Sequence, residues 1–177
     1  RESLVEQFSA TQFDLEQVTV ALAVEATVLE WDQQLVEVTE RIDKYGNVIR
    51  PLDEAGARAV ARQIRELGEI EAVAIMLLFS YLNPAHEQRL KAIFAEEAPE
   101  LPVSISYEVL PKWKEYERAS TTIADAYLKP VVSQQLRAMR RRLGEVGLGD
   151  HLVMIKSNGG EMTLDAAADS PVNMMVS

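Results

Sequence analysis

Ser157, Asn158, Gly159 and Gly160 are the residues of this chain whose types and spacing point most directly to ligand chemistry. An apolar, strand-like run from Leu152 to Ile155 leads into them through Lys156, and a helical pattern starts near Thr163. A strand, a glycine turn and a helix in that order bring backbone N–H groups close to a guest, because glycine puts no side chain in between. The guest that such amides suit is an anion. An Asn-Gly pair also builds ordinary turns, so these residues alone leave both readings open.

A second polar cluster precedes it: Glu115-Tyr116-Glu117-Arg118-Ala119-Ser120-Thr121-Thr122. Glu117 and Arg118 could orient a substrate, and Ser120, Thr121 or Thr122 could bind phosphate. Alternatively Glu115 and Arg118 form a solvated i,i+3 pair of small energetic worth. The hydroxyls still call for a reason, because they compete for backbone hydrogen bonds within a helix. His86 and Glu87 could begin a metal site. No third ligand lies nearby in sequence, and Glu87 equally suits the positive start of a helix. Arg137, Arg140, Arg141 and Arg142 could bind an anion or form a solvated helix face. The sequence contains no Walker loop, dinucleotide GxGxxG, nucleophile elbow or HExxH motif, so no residue is assigned as catalytic.

The elements that must position these residues read as α/β. Val18 to Leu29 fits a strand or an apolar helix. Leu35 to Ile49 reads as a β-hairpin turning at Asp43-Lys44-Tyr45-Gly46-Asn47. Asp53 is the expected N-cap of a helix with Ala57, Val60, Ala61, Ile64 and Leu67 inward and Gly68 at its end. Ala72 to Phe79 reads as a strand covered on both faces, as in a parallel sheet. Asn83-Pro84 starts a helix burying Leu90, Ile93 and Phe94, and Val103 to Ser106 is the next strand, which makes a βαβ unit. A third helix spans Lys112 to Leu128, with Tyr116, Ile123 and Tyr127 inward and a kink or restart at Pro130. Val132, Leu136, Met139, Leu143 and Val146 continue a long amphipathic helix. A seam is expected at Leu110-Pro111.

The chain has 177 residues, 47% of them hydrophobic, and a formal net charge of −10. Acidic residues number 28 against 18 basic, which argues against nucleic-acid or anionic-membrane partners. No apolar run approaches the ~18 residues of a membrane span. There are no cysteines and only two histidines, His86 and His151, so a thiolate or multi-histidine metal site is excluded. A soluble cytoplasmic protein without a resident metal is the expectation, and the first methionine, at Met76, suggests an internal piece of a longer chain.

Several words occur in a telling order. They are Thr39-Glu40-Arg41-Ile42-Asp43 with Gly46 and Pro51-Leu52-Asp53-Glu54, then Leu77-Leu78-Phe79-Ser80-Tyr81 with Asn83-Pro84-Ala85-His86-Glu87. Glu108-Val109-Leu110-Pro111, Glu115-Tyr116-Glu117-Arg118, Thr121-Thr122, Ala126-Tyr127, Pro130 and Ser157-Asn158-Gly159-Gly160 complete the series. In this order the chain resembles the hydantoinase A / 5-oxoprolinase family, which includes the large subunits of acetone and acetophenone carboxylases. The resemblance covers about residues 37–177. Residues 1–34 match poorly, and Asp125 stands where many relatives have Asn.

The resemblance implies a mostly parallel sheet with βαβ layers and long helices, part of an actin-like ATPase (ribonuclease H-like) fold. It implies an N-terminal region over residues 35–110 and the start of the catalytic domain over 111–177. It also implies ATP, Mg²⁺, and a hydantoinase B-type partner subunit or fused domain. The activity implied is ATP-dependent opening of a cyclic amide or imide through carbonyl phosphorylation, or ketone carboxylation as a subunit of a related enzyme. Ser157, Asn158, Gly159 and Gly160 would line the nucleotide or substrate cleft, with Glu117, Arg118, Thr121 and Thr122 near it or at a domain interface. The family's acidic-glycine phosphate loop is absent, so the 177-residue chain alone is expected to be catalytically silent. A non-catalytic docking module, using the Val132 to Val146 stripe, is the alternative of a different class.

Overall fold

The computed structural model describes residues 19–24, 35–148 and 152–175. The chain runs β1 (Thr19–Val24), β2 (Leu35–Val36), β3 (Arg41–Ile42), β4 (Val48–Arg50), α1 (Glu54–Leu67), β5 (Ala72–Leu77), α2 (Ala85–Glu97) and β6 (Val103–Ile105). It continues through the one-turn α3 (Ser106–Val109), the long α4 (Glu115–Glu145), β7 (Val153–Ile155), β8 (Glu161–Thr163), α5 (Leu164–Asp169) and a 3-10 turn at Pro171–Met174.

The main sheet has four strands in the order β2-β1-β5-β6. Only β5 and β6 run parallel, with α2 as their crossover, while β1 is antiparallel to both β2 and β5. The expected mostly parallel sheet is therefore corrected. Burial of both faces of β5 comes from helices packed on each side, and that burial does not depend on strand direction. Val73, Ile75 and Leu77 face Ala57, Ala61 and Ile64 of α1 and Leu90, Ile93 and Phe94 of α2. Ala72 and Ala74 face the other way and meet Ala126 and Ile123 of α4. Each large apolar side chain fully buried here contributes on the order of 1.5–3 kcal/mol. The alanines contribute little area, but they let α4 lie close to the sheet.

Local chemistry sets the element ends. Asp53 caps α1 by accepting from the Gly56 amide at 3.1 Å, and Gly68 closes the helix in the left-handed conformation at φ +68°. Leu67, expected inward, is 58% exposed. The hairpin is shorter than the alternation suggests: β3 pairs with β4, whereas β2 joins the main sheet against β1. The strand option holds for Thr19–Val24, and residues 25–29 lie outside the described residues.

The third helix departs most from expectation. It begins at Glu115 and runs unbroken to Glu145 through Pro130. Proline there forfeits one backbone bond, which the packing of Ala126 and Leu136 on either side outweighs. Tyr116 and Tyr127 point outward, each 54% exposed. The inward face carries Arg118, Ala119, Thr122, Asp125, Ala126 and Lys129 instead. Small residues sit there because the facing β5 positions are alanines, and the polar ones find partners along the sheet. Farther along, Leu136 packs with Met162, Leu164 and Ala167, flanked by Val132 and Met139, while Val146 is exposed. No described helix is long and apolar enough to cross a membrane.

Candidate functional site

The turn between β7 and β8 holds the four residues singled out above. Leu152 and Met154 on the way in pack on the Leu136 cluster. Met154 pairs with Met162 across the hairpin. The expected strand, glycine turn and helix is corrected to strand, turn, strand, helix: β8 intervenes, and Thr163 then caps α5 by accepting from the Ala166 amide at 3.2 Å. Ser157, Asn158 and Gly159 form a three-residue loop, with the Lys156 carbonyl accepting from Gly159 N at 2.9 Å and the Gly160 carbonyl from Lys156 N at 2.6 Å. Gly159 lies at φ +87°, the glycine-bulge position of such loops.

All four residues are exposed, but three of their amides are already committed. Ser157 N donates to the Asn173 carbonyl at 3.0 Å, Gly159 N to Lys156, and Gly160 N to Asn158 Oδ1 at 3.1 Å. The turn therefore presents side chains and one uncommitted amide, that of Asn158, to a guest. It is not the ring of bare N–H groups that a phosphate cradle needs.

Arg118 and its neighbours lie elsewhere on α4. Arg118 is 0% exposed. Its Nη1 donates to Ser80 Oγ at 3.0 Å and its Nη2 to the Leu77 carbonyl at 2.9 Å. The Tyr81 ring lies 5.3 Å from the guanidinium. The expected solvated pair with Glu115 is thus replaced by a buried network at the carboxyl ends of β5 and β6. Burial pulls the Arg118 pKa below its ordinary value, and the charge of Glu87 opposes the shift. Thr122 is buried and donates to the Arg118 carbonyl at 2.6 Å; Thr121 does the same to the Glu117 carbonyl. Glu117 is exposed and pairs with Lys114 at 3.1 Å. Among the described residues no hydrogen bond joins this group to the Ser157–Gly160 turn.

His86 and Glu87, named above as a possible start of a metal site, have protein partners instead, and the roles of Asp125, Ser104 and Lys129 were not visible in the sequence. Glu87 is fully buried and accepts from Leu77 N at 2.8 Å, Ser106 Oγ at 2.6 Å and Tyr107 N at 2.8 Å. His86 Nδ1 lies 2.6 Å from Glu40 Oε2. Burial raises the Glu40 pKa, against the lowering effect of the His86 hydrogen bond. Asp125, also fully buried, accepts from Ser104 Oγ at 2.7 Å and from Val172 N at 3.1 Å. Lys129 donates to the Val103 carbonyl and to Ser104 Oγ, each at 3.0 Å. Burial lowers its pKa, with Asp125 opposing. The available signal was the polar residue inside an apolar setting: Ser104 within Val103–Ile105, and Asp125 with Lys129 one turn apart around Ala126.

Of the arginine run, Arg140 pairs with Asp165 at 3.0 Å and the rest form an exposed face. No group of three or more His, Asp or Glu side chains able to hold a metal occurs among the described residues. The described residues therefore do not fit a Mg²⁺ site, and with the turn amides committed they supply no triphosphate cradle of their own.

Residues 6–98 match the family model described as the hydantoinase/oxoprolinase N-terminal region, and residues 118–177 match the model described as hydantoinase/oxoprolinase. The acetophenone carboxylase gamma subunit of Aromatoleum aromaticum is 38% identical over 131 residues, covering 71% of this chain and 18% of that protein. The caprolactamase subunit alpha of Pseudomonas jessenii is 38% identical over 120 residues, covering 68% of this chain and 17% of that protein. A crystal structure of the ATP-dependent caprolactamase from Pseudomonas jessenii superposes with a TM-score of 0.67 at 33% identity, covering 77% of this chain and 20% of that one. The chain thus spans about a fifth of the length of the relatives it matches.

Proposed function

The chain belongs to the hydantoinase/oxoprolinase family, and on that premise we propose that it is part of an ATP-dependent enzyme that opens a cyclic amide or imide ring. The observation that carries this reading is the likeness, in both sequence and fold, to an ATP-dependent caprolactamase, an enzyme named for a lactam. Transfer of a phosphoryl group to the ring carbonyl oxygen would turn an unreactive amide into an electrophile that water can open. No step is routed through Mg²⁺ or through a phosphate cradle in the described residues.

The contribution of this chain is positional. Residues 35–110 serve as the N-terminal region and residues 111–177 as the start of an actin-like ATPase domain. The exposed Ser157–Gly160 turn lines the cleft for nucleotide or substrate with the Ser157 hydroxyl and the Asn158 side chain. Glu117 and Thr121 lie on the accessible side of α4, and Arg118 and Thr122 brace that helix against β5. A hydantoinase B-type subunit or fused domain completes the assembly, in keeping with relatives named as subunits. The cytoplasm, which supplies ATP, suits this reaction.

A carboxylase reading has its own support, because the acetophenone carboxylase relative is equally similar at 38% identity. One experiment separates the two. The chain, with the sequence that flanks it in its gene and its partner subunit, is assayed for ATP hydrolysis with caprolactam, hydantoin or 5-oxoproline carrying ¹⁸O in the ring carbonyl. Ring opening with ¹⁸O appearing in inorganic phosphate is expected. Hydrolysis that instead requires acetophenone or acetone together with bicarbonate supports the carboxylase. ATP turnover by the 177-residue chain alone contradicts the purely positional role.

A further inference from the structure

Asp125 sits on α4 one turn after Thr122, with both carboxylate oxygens in use. Oδ2 accepts from Ser104 Oγ at 2.7 Å and lies 3.4 Å from Lys129 Nζ. Oδ1 faces the other way, accepting from Val172 N at 3.1 Å and Ser170 Oγ at 3.4 Å. The next residue along, Asn173, uses its side-chain amide to donate to Ser170 Oγ at 3.0 Å. Its carbonyl accepts from Ser157 N at 3.0 Å and from Ser157 Oγ at 3.3 Å. One unbroken chain of hydrogen bonds therefore runs from strand β6 through a buried carboxylate to the first residue of the β7–β8 turn.

We infer that Asp125 is a positioning residue for the Ser157–Gly160 turn. It holds the Ser170–Val172 backbone, which holds Asn173, which fixes Ser157. Its meaning for catalysis rests on the cleft reading above; the placement itself does not. Where many relatives have Asn, the Lys129 ammonium 3.4 Å away makes a carboxylate the group that suits this position in this chain. Four donors converge on it from opposite sides, and an ionised carboxylate accepts on both oxygens. An amide has one oxygen and one NH₂. Asn at position 125 would aim its NH₂ either at the Lys129 ammonium and the Ser104 hydroxyl or at the Val172 N–H, so one side is always broken.

That asymmetry gives the test. Amide hydrogen exchange is measured by NMR on the whole chain, comparing Ser157 and Val172 with Ile75 and Leu77 in β5. Asp125→Asn is expected to speed exchange at Ser157 and Val172 by about tenfold, the order of one lost hydrogen bond, and to leave the β5 amides unchanged. Adding Lys129→Met removes the ammonium, so the Asn NH₂ can turn toward Ser104 Oγ and its oxygen toward Val172 N. The double variant is then expected to recover most of the protection that the single variant loses. An unchanged Ser157, an equal rise at Ile75 and Leu77, or a double variant no better than the single overturns the assignment. If Asp125→Asn fails to fold, Ser170→Ala, which removes the bond to Asp125 Oδ1 and the one from the Asn173 side chain, takes its place. It is expected to speed Ser157 exchange by about threefold, and no change there also overturns the assignment. A chain that passes these tests but fails the labelled-carbonyl assay refutes the cleft reading alone.

Discussion

Arg118 and Glu87, both fully buried, are joined by two serine hydroxyls rather than by direct contact. Arg118 Nη1 donates to Ser80 Oγ, Ser80 Oγ lies 3.2 Å from Ser106 Oγ, and Ser106 Oγ donates to Glu87 Oε1 at 2.6 Å. Because Ser106 gives its proton to the carboxylate and Ser80 receives from the guanidinium, the middle bond runs from Ser80 to Ser106. All the hydroxyl dipoles then point from cation to anion. The relay spans the carboxyl ends of β5 and β6 and ties both strands to α2 and α4.

Removing one end of this relay leaves the other charge buried without compensation. Glu87→Ala also strips acceptors from the Leu77 and Tyr107 amides. A loss of about 3–5 kcal/mol in urea unfolding is expected. Arg118→Met should cost a similar amount, and the double variant less than the sum of the two, with a coupling of about 1–2 kcal/mol carried through the serines. Additive losses would show that the hydroxyls do not connect the charges.

The sequence showed the outline of the α/β core because periodicity and caps act locally. Asp53, Gly68 and the Leu90, Ile93 and Phe94 stripe all do in the fold what their spacing implies. Strand direction in the sheet was not legible, because both-face burial looks the same for parallel and antiparallel neighbours. The inner face of α4 was misread for a related reason. Tyr116 and Tyr127 are its largest apolar residues, yet Ala72 and Ala74 leave room only for small side chains and for polar ones that reach partners on β5 and β6. The Ser157–Gly160 turn was found, but whether the Ser157 amide was free depended on Asn173, a contact 16 residues away in sequence.

The Glu40–His86 contact ties the segment before β3 to the start of α2, and its energetics depend on pH. Three charged or titratable groups face Glu40: His86, Arg41 and Glu87. Burial dominates and raises the Glu40 pKa above 4.5. The folded state thus holds this proton more tightly than the unfolded chain does. The resulting stability is fully present below pH 4.5 and is lost as pH rises through the raised value. Glu40→Gln cannot titrate. The stability of the wild type relative to Glu40→Gln should therefore fall as pH rises from 4.5 toward neutrality, as read by urea unfolding at each pH. A flat difference, or one that grows with pH, would contradict the dominance of burial.

The two adjacent glycines of the turn are not equivalent. Gly159 has φ +87° and nothing within 4 Å of where a Cβ would sit, so Gly159→Ala meets only backbone strain. The expected loss is about 1 kcal/mol, and Gly159→Asn should recover part of it, since Asn tolerates the left-handed region. At Gly160 a Cβ would lie 3.3 Å from Asn158 Oδ1, an atom at the end of an exposed side chain. Gly160→Ala should therefore cost less than Gly159→Ala in thermal unfolding. The reverse order would mean that the bulge geometry is not what holds the turn.

Packing on the two faces of β5 predicts opposite responses to added volume and to lost volume. Val73 and Ile75 fill the side facing α1 and α2, so Ile75→Ala opens a cavity and should cost about 2–5 kcal/mol. Ala74 faces α4 across Ala126, where there is no large side chain to trim. Ala74→Leu must instead push the helix away from the sheet, at about 1–3 kcal/mol. The two losses differ in reach. The cavity stays between β5 and the helices α1 and α2, whereas a displaced α4 carries Asp125 and Lys129 away from Ser104. Ala74→Leu should therefore speed amide exchange at Val172 and Ser157, and Ile75→Ala should not. Equal exchange at those two amides in both variants would mean that the close seat of α4 on the alanines is not what places Asp125.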